Sequence, residues 1–240
     1  MMNAPLTDSP PTPVQDLAGL LARAPLLHED GVGRLVSWAL SDQALKFIDS
    51  TVQGEWATLE TGEGVSALLF GLKGARHICI APNSLVIERI NEFAAGHSIS
   101  MDRVHFEVSP SDDLLPSLKL PDLDLVLIGG CHGFPVPYID WDYTAGALKI
   151  GGLLMLDDTQ LWTVDVLRRF LLDEPEWESR GLVGPRTALF AKTAAVNPKE
   201  WVHQPYVVEM TAALSGDRRS PMRKVLSKGK AVVTRGLGHG

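Results

Sequence analysis

Apolar and polar positions change rhythm near residue 54. From about 14 to 50, Leu17, Leu20, Leu21 and then Leu35, Val36, Ala39 and Leu40 recur near helical spacing. "HEDG" and "SDQ" interrupt the pattern, which predicts two or three short helices. From Glu55 onward, short apolar runs alternate with helical stretches. "EWATLE" predicts a strand, and "VSALLFGLKG" a helix after a glycine turn. "ARHICIA" predicts a second strand, and "NSLVIERINEFAAGH" a helix with an Asn/Ser start suited to capping. "RVHFEVS" and "DLDLVLIGG" come next as strands, the latter apolar enough to be buried on both faces. "YIDWDYTAGALK" predicts a helix, "GGLLMLDD" a fifth strand and "TVDVLRRFLLDE" another helix.

This alternation implies a parallel sheet with helices on both faces. The end departs from it, since "EWESRGLV" and "RTALFAKTA" are joined through "GPR" with no helix between them. So short a link demands an antiparallel hairpin, because a parallel crossover needs a dozen or more residues. The expected fold is therefore α/β, a Rossmann-like seven-stranded, mostly parallel sheet closed by an antiparallel terminal hairpin. The chain divides into a flexible leader (1–13), N-terminal helices (14–53), the Rossmann-like domain (54–195) and a C-terminal extension (196–240).

Composition adds exclusions. The chain is 45% hydrophobic and 21% charged, ordinary for a globular protein. No apolar run approaches the roughly 18–20 residues of a membrane span. "MMNAPLTDSPPTPVQD" lacks the basic and apolar regions of a signal peptide and reads as a Pro-rich leader. Two cysteines, Cys79 and Cys131, are too few for a disulfide framework or a Cys-based zinc site. A cytoplasmic protein is the simplest expectation. The net charge of −7 is uneven: residues 217–240 carry +6, so the rest carries −13. An acidic body is a poor nucleic-acid surface, and the basic end reads as a solvated, disordered tail.

Four stretches carry candidate chemistry. In "LETGEGVSALL", Gly62 and Gly64 allow a sharp turn and close backbone approach to a ligand between strand and helix. A dinucleotide or methyl donor would want an acid about 20 residues on, where Ala81-Pro82-Asn83 stands. Asn83 is the nearest polar substitute. "VLIGGCHGFPVPYIDWDY" follows the fourth strand, where open α/β sheets bind ligands. There His132 suits a general base, and Phe134, Tyr138, Trp141 and Tyr143 either wall a pocket or cover the sheet. In "LMLDDTQLW", Asp157 and Asp158 suit Mg²⁺ or the orientation of a hydroxyl, while Asp158 or Thr159 could instead cap the next helix. In "SPSDDLLPSL", Ser111 and Asp112 suit an adenine amino group, or Ser111 simply caps a short helix.

Together these stretches resemble class I S-adenosylmethionine-dependent methyltransferases, most closely the methyltransferase-24 type that includes O-methyltransferases of sugars and natural products. The likeness spans roughly residues 54–195 and rests on "LETGEGVS", "DRVHFEVSPSDDLLPSL", "LDLVLIGGCHG" and "LKIGGLLMLDDTQ". It implies S-adenosylmethionine as cofactor and a small-molecule hydroxyl as acceptor. Glu60, Gly62 and Gly64 would line the donor's amino-acid end, Ala81 and Asn83 its ribose, and Ser111 and Asp112 its adenine. His132 and Asp157 would be catalytic, with Asp157 and Asp158 the carboxylates of a possible Mg²⁺ site. Two positions depart from the family pattern: Gly129 and Ala81 each stand where an Asp or other acid is expected. Those departures support an alternative, a catalytically degenerate binding or scaffold protein. A nicotinamide-dependent oxidoreductase is a further alternative, opposed by the missing acid and the closing hairpin. The N-terminal helices could lid the site or form the surface of a homo-oligomer.

Overall fold

The computed structural model describes residues 12–214. Most of the leader and the basic tail expected at 217–240 lie outside the described residues. A short helix, α1 (Leu17–Leu21), is capped by the Asp16 carboxylate, which accepts from the Gly19 amide at 2.7 Å. Leu35 and Val36, where apolar spacing predicts helix, instead join a small antiparallel ladder, β1 (His28–Glu29) with β2 (Leu35–Val36). The physical cause is the turn between them: Asp30 accepts from the Val32 and Arg34 amides and Gly33 has φ +77°, which no helix permits. Helix α2 (Asp42–Thr51) then starts at Ser41, whose hydroxyl caps the Ala44 amide.

The α/β alternation then runs as the pattern predicts. Its elements are β3 (Ala57–Thr61), α3 (Val65–Lys73), β4 (Arg76–Ala81), α4 (Ser84–Gly96), β5 (Val104–Val108), α5 (Ser111–Leu114), β6 (Leu123–Ile128) and α6 (Val136–Ala145). Then come β7 (Leu148–Leu156), α7 (Trp162–Asp173), β8 (Trp177–Leu182), β9 (Ala188–Lys192) and α8 (Pro205–Leu214). The seven-stranded sheet has the order β5-β4-β3-β6-β7-β9-β8. Pairings up to β7 are parallel, while β9 runs antiparallel to both β7 and β8.

Two apolar cores lie on the two faces of the sheet. On one, α1 to α4 bury residues such as Leu45, Ile48, Leu69, Phe70 and Ile90 against Leu125, Leu127 and Met155. On the other, α7 sets Val164, Leu167 and Leu171 against Leu154, Leu156 and Phe190. Spacings of three and four put the three α7 residues on one helical stripe. All three are fully buried, each contributing about 1.5–3 kcal/mol. No helix among the described residues is long and apolar enough to cross a membrane.

Candidate functional site

The sheet reverses its build order beside β3. The chain adds β4 and β5 on one side, then returns to place β6 on the other. Open α/β sheets bind ligands in the crevice that such a switch point creates at the carboxyl ends of the strands. Here the loops after β3 and β6 touch. Gly62 has φ +98°, and a Cβ there would come within 2.8 Å of Gly130 Cα. A Cβ on Gly130 would meet the Gly62 amide nitrogen at 2.9 Å. These two glycines thus let two ligand-facing loops approach as bare backbone.

The crevice is a cavity of about 610 Å³ lined by Gly62, Glu63, Ser111, Asp112, His132 and Asp158, among others. Three of these are acidic. Burial, reinforced by the nearby Glu60 carboxylate, pushes the Glu63 carboxyl up to about 7. Behind the Ser111–Asp112 corner stands Asp140, fully buried on α6. Burial raises its carboxyl to about 6, with the Ser111 and Thr61 hydroxyls holding it partly down. The N-terminal segment supplies one rim. His28 Nε2 lies 3.1 Å from the Glu63 carbonyl and its ring stacks on Trp38 at 4.9 Å. Arg89 on α4 secures this rim by donating to the Leu27 carbonyl at 2.8 Å and pairing with Glu29.

The opposite wall is built where β7 ends. His132 Nε2 lies 2.8 Å from Asp158 Oδ2, and the Thr163 hydroxyl donates to the His132 carbonyl at 2.6 Å. His132 Nδ1 is buried without a hydrogen-bond partner. Asp158 has φ +57°, a left-handed conformation that turns its carboxylate back toward the β6 loop. Asp157 is buried and accepts from the Thr187 hydroxyl at 2.6 Å. Its burial raises the carboxyl, while Thr187 and Arg186 oppose the rise.

The expected residues fall into two groups. Gly62, Ser111, Asp112, His132 and Asp158 meet around the cavity, and Gly129 joins them. Others point elsewhere. The Glu60 carboxylate lies beneath the loop, Oε1 3.1 Å from His77 Nε2, and is sealed in the core. Gly64 sits at the start of α3. Asn83 caps α4 by accepting from the Leu85 amide at 3.1 Å, and Pro82 lines the cavity instead. Asp157 turns toward β9, away from the cavity lining. Neither capping alternative holds. Ser111 makes no cap bond, and α7 begins after Leu161 with no side-chain cap at all. The aromatic wall is also absent from the lining. Tyr138 and Trp141 pack on the sheet core, with Trp141 edge-on to Phe170 of α7 at 5.4 Å, and Phe134 is exposed.

The acidic pair does not fit a divalent ion. Its oxygens are taken by Thr187, Arg186, Gln160 and His132. Among the described residues, three ligand atoms converge instead at Glu60, His77 and Cys79, all buried beneath α3. Its neighbours engage part of that cluster: Thr58 Oγ1 meets His77 Nδ1 at 2.9 Å, and the Cys79 thiol donates to the Gly62 carbonyl at 3.3 Å, while Glu60 Oε1 and His77 Nε2 lie 3.1 Å apart without a hydrogen bond.

Sequence reasoning missed Glu63, Asp140, His28, Trp38 and Arg186. Only Glu63 had a local signal, lying between the two glycines of the loop.

No protein-family model matches the chain, and no curated protein matches it. Solved structures do. Cofactor-bound Rv0187 from MTB superposes with a TM-score of 0.56 at 19% identity, covering 73% of this chain and 88% of that one. An O-methyltransferase from Bacillus cereus in complex with SAH gives 0.53 at 18%, covering 65% and 83%. The O-methyltransferase TomG from Streptomyces achromogenes, in complex with SAM, gives 0.52 at 16%, covering 65% and 82%. At these identities the likeness is one of fold. The chain shares with them the Rossmann-like α/β fold of a seven-stranded, mostly parallel sheet flanked by helices.

Proposed function

We propose that the chain is an S-adenosylmethionine-dependent methyltransferase of the methyltransferase-24 type, acting on the hydroxyl of a small molecule. One observation carries the reading: a single cavity has the glycine loop on one wall and the His132–Asp158 pair on the other. Its volume suits a small-molecule site. Asp112 and Asp158 would face a cationic ligand with negative charge, and the Gly62–Gly130 contact keeps both loops free of side chains where they meet.

When bound, the donor supplies a methyl group on a positively charged sulfur. The chain's own residues do the rest. Glu63 would face the donor's amino-acid end, and Ser111 and Asp112 its adenine. His132 Nε2 faces Asp158, which fixes the ring at the cavity. The cavity-lining His132–Asp158 pair would take the acceptor's hydroxyl proton as that oxygen displaces the donor's sulfur from the methyl carbon. Orientation supplies most of the acceleration, so a modest base suffices.

A second reading, a degenerate binding subunit, draws on Ala81. It is fully buried at the end of β4, where a carboxylate would otherwise hold the ribose hydroxyls. Calorimetry with S-adenosylhomocysteine, paired with a methyl-transfer screen over hydroxyl acceptors, separates the two. Binding with turnover is expected. Binding without turnover favours the second reading, and no binding at millimolar ligand sinks the enzyme reading.

A further inference from the structure

We infer that the Arg186 guanidinium stands in for a divalent cation at the acceptor wall, making this a metal-free site in which Arg186 positions the Asp158–His132 pair. Arg186 Nη1 lies 3.2 Å from Asp158 Oδ1, and Nη2 lies 3.5 Å from Asp157 Oδ2. It therefore bridges the two carboxylates. The remaining oxygens are also engaged. Asp157 Oδ1 accepts from Thr187 at 2.6 Å, Asp158 Oδ1 from Gln160 at 2.8 Å, and Asp158 Oδ2 faces His132. Hard divalent ions need oxygens within about 2.0–2.6 Å, and here that space is filled by a fixed positive charge.

The sheet register explains the placement. Leu156 on β7 pairs with Ala188 on antiparallel β9. Continuing that register one and two places sets Asp157 opposite Thr187 and Asp158 opposite Arg186. The backbone holds the arrangement, because the Arg186 carbonyl accepts from both the amide and the hydroxyl of Thr159, at 2.9 and 2.8 Å. At Gly129, a Cβ would sit 3.8 Å from Asp157 Cβ, an ordinary contact. Packing at that Cβ does not forbid a third carboxylate there, yet the chain has none, which matches a site balanced by +1 rather than +2.

Arg186 does one thing an ion could not. Its Nη2 also donates to the Ala39 carbonyl at 2.7 Å, beside Trp38 on the cavity rim. One side chain thus anchors the rim and orients the carboxylate that holds His132. A planar, permanently charged fork suits this bridging.

The inference rests on the methyltransferase reading for its catalytic meaning, but its test does not need turnover. Mn²⁺ binding, read by the loss of the free-ion paramagnetic resonance signal, should be absent in the native chain even at millimolar ion. Arg186→Met should gain binding at least about tenfold tighter than the native chain, the lower end of what changing a ligand's partners does to metal affinity. Adding Asp158→Asn should remove that gain, and Arg186→Lys, which keeps the charge, should bind no ion. Native binding that Asp158→Asn abolishes would overturn the inference, whether or not Arg186→Met folds. So would a folded Arg186→Met that gains nothing. Loss of methyl transfer alone, with these ion results intact, would count against the methyltransferase reading and not against this one.

Discussion

Two histidine–carboxylate pairs belong to the same sheet and have opposite fates. Glu60 and His77 sit beneath the glycine loop with 2% and 0% of their side chains exposed, 3.1 Å apart. Asp158 and His132 sit at the cavity with 21% and 19% exposed, 2.8 Å apart. The chemistry is nearly the same, but the address differs. Strand alternation turns Thr58, Glu60, His77 and Cys79 under α3, where the His77 ring stacks on Phe70 at 4.0 Å. His132 and Asp158 instead lie past the ends of β6 and β7, on the lining of the cavity. A pair within a strand becomes internal mortar, whereas a pair beyond a strand end can meet a ligand.

The largest effects would break this contrast directly. His132→Ala or Asp158→Asn should lower turnover at least about 100-fold, the scale of general base catalysis, with S-adenosylhomocysteine affinity nearly unchanged by calorimetry. His77→Ala should do the reverse, stranding a buried carboxylate at a cost of about 3–5 kcal/mol. For a chain of this size that lowers the melting midpoint by about 6–20 °C. If His77→Ala melts normally but loses turnover, the two pairs have been assigned the wrong way round.

An intermediate effect tests the loop between the pairs. Gly62→Ala forces a side chain at φ +98° against Gly130. It should cost about 1–3 kcal/mol of stability by urea titration and weaken S-adenosylhomocysteine binding more than any change at Asn83.

The smallest effect concerns Glu63. Its carboxyl titrates near 7 in the folded chain against an ordinary 4.5. The folded chain therefore keeps a proton that the unfolded chain has lost, and stability falls as pH rises through that window. Glu63→Gln should remove this fall, so the variant gains on the native chain at pH 8 and matches it at pH 4. Equal urea midpoints at pH 8 would show that Glu63 is ordinarily solvated.

Much of the frame was legible in the sequence because apolar runs and turn residues agree with each other along 54–195. The short "GPR" link also required the hairpin that closes the sheet. The N-terminal ladder was not legible, since Leu35, Val36, Ala39 and Leu40 happen to repeat at helical spacing while Asp30 and Gly33 dictate a turn. Within the site, residues at strand ends were readable from topology alone, which is how Gly62, His132 and Asp158 came together. Asn83 and Glu60 were misjudged for a different reason. Proximity in sequence says nothing about whether a side chain is already committed to a cap or a core partner. Arg186 needed the β7–β9 register, a long-range quantity that no local pattern encodes.

The direction of β9 has a practical consequence. The parallel strands point their carboxyl ends toward the cavity, whereas antiparallel β9 brings its amino end to the same edge of the sheet, so the hairpin at 183–187 meets Asp157 and Asp158. A hairpin tip tolerates changes of length and composition that a buried strand end does not. Under the proposed function, an exchange of that tip would have to keep Arg186 and Thr187, which hold the Asp157–Asp158 corner in place.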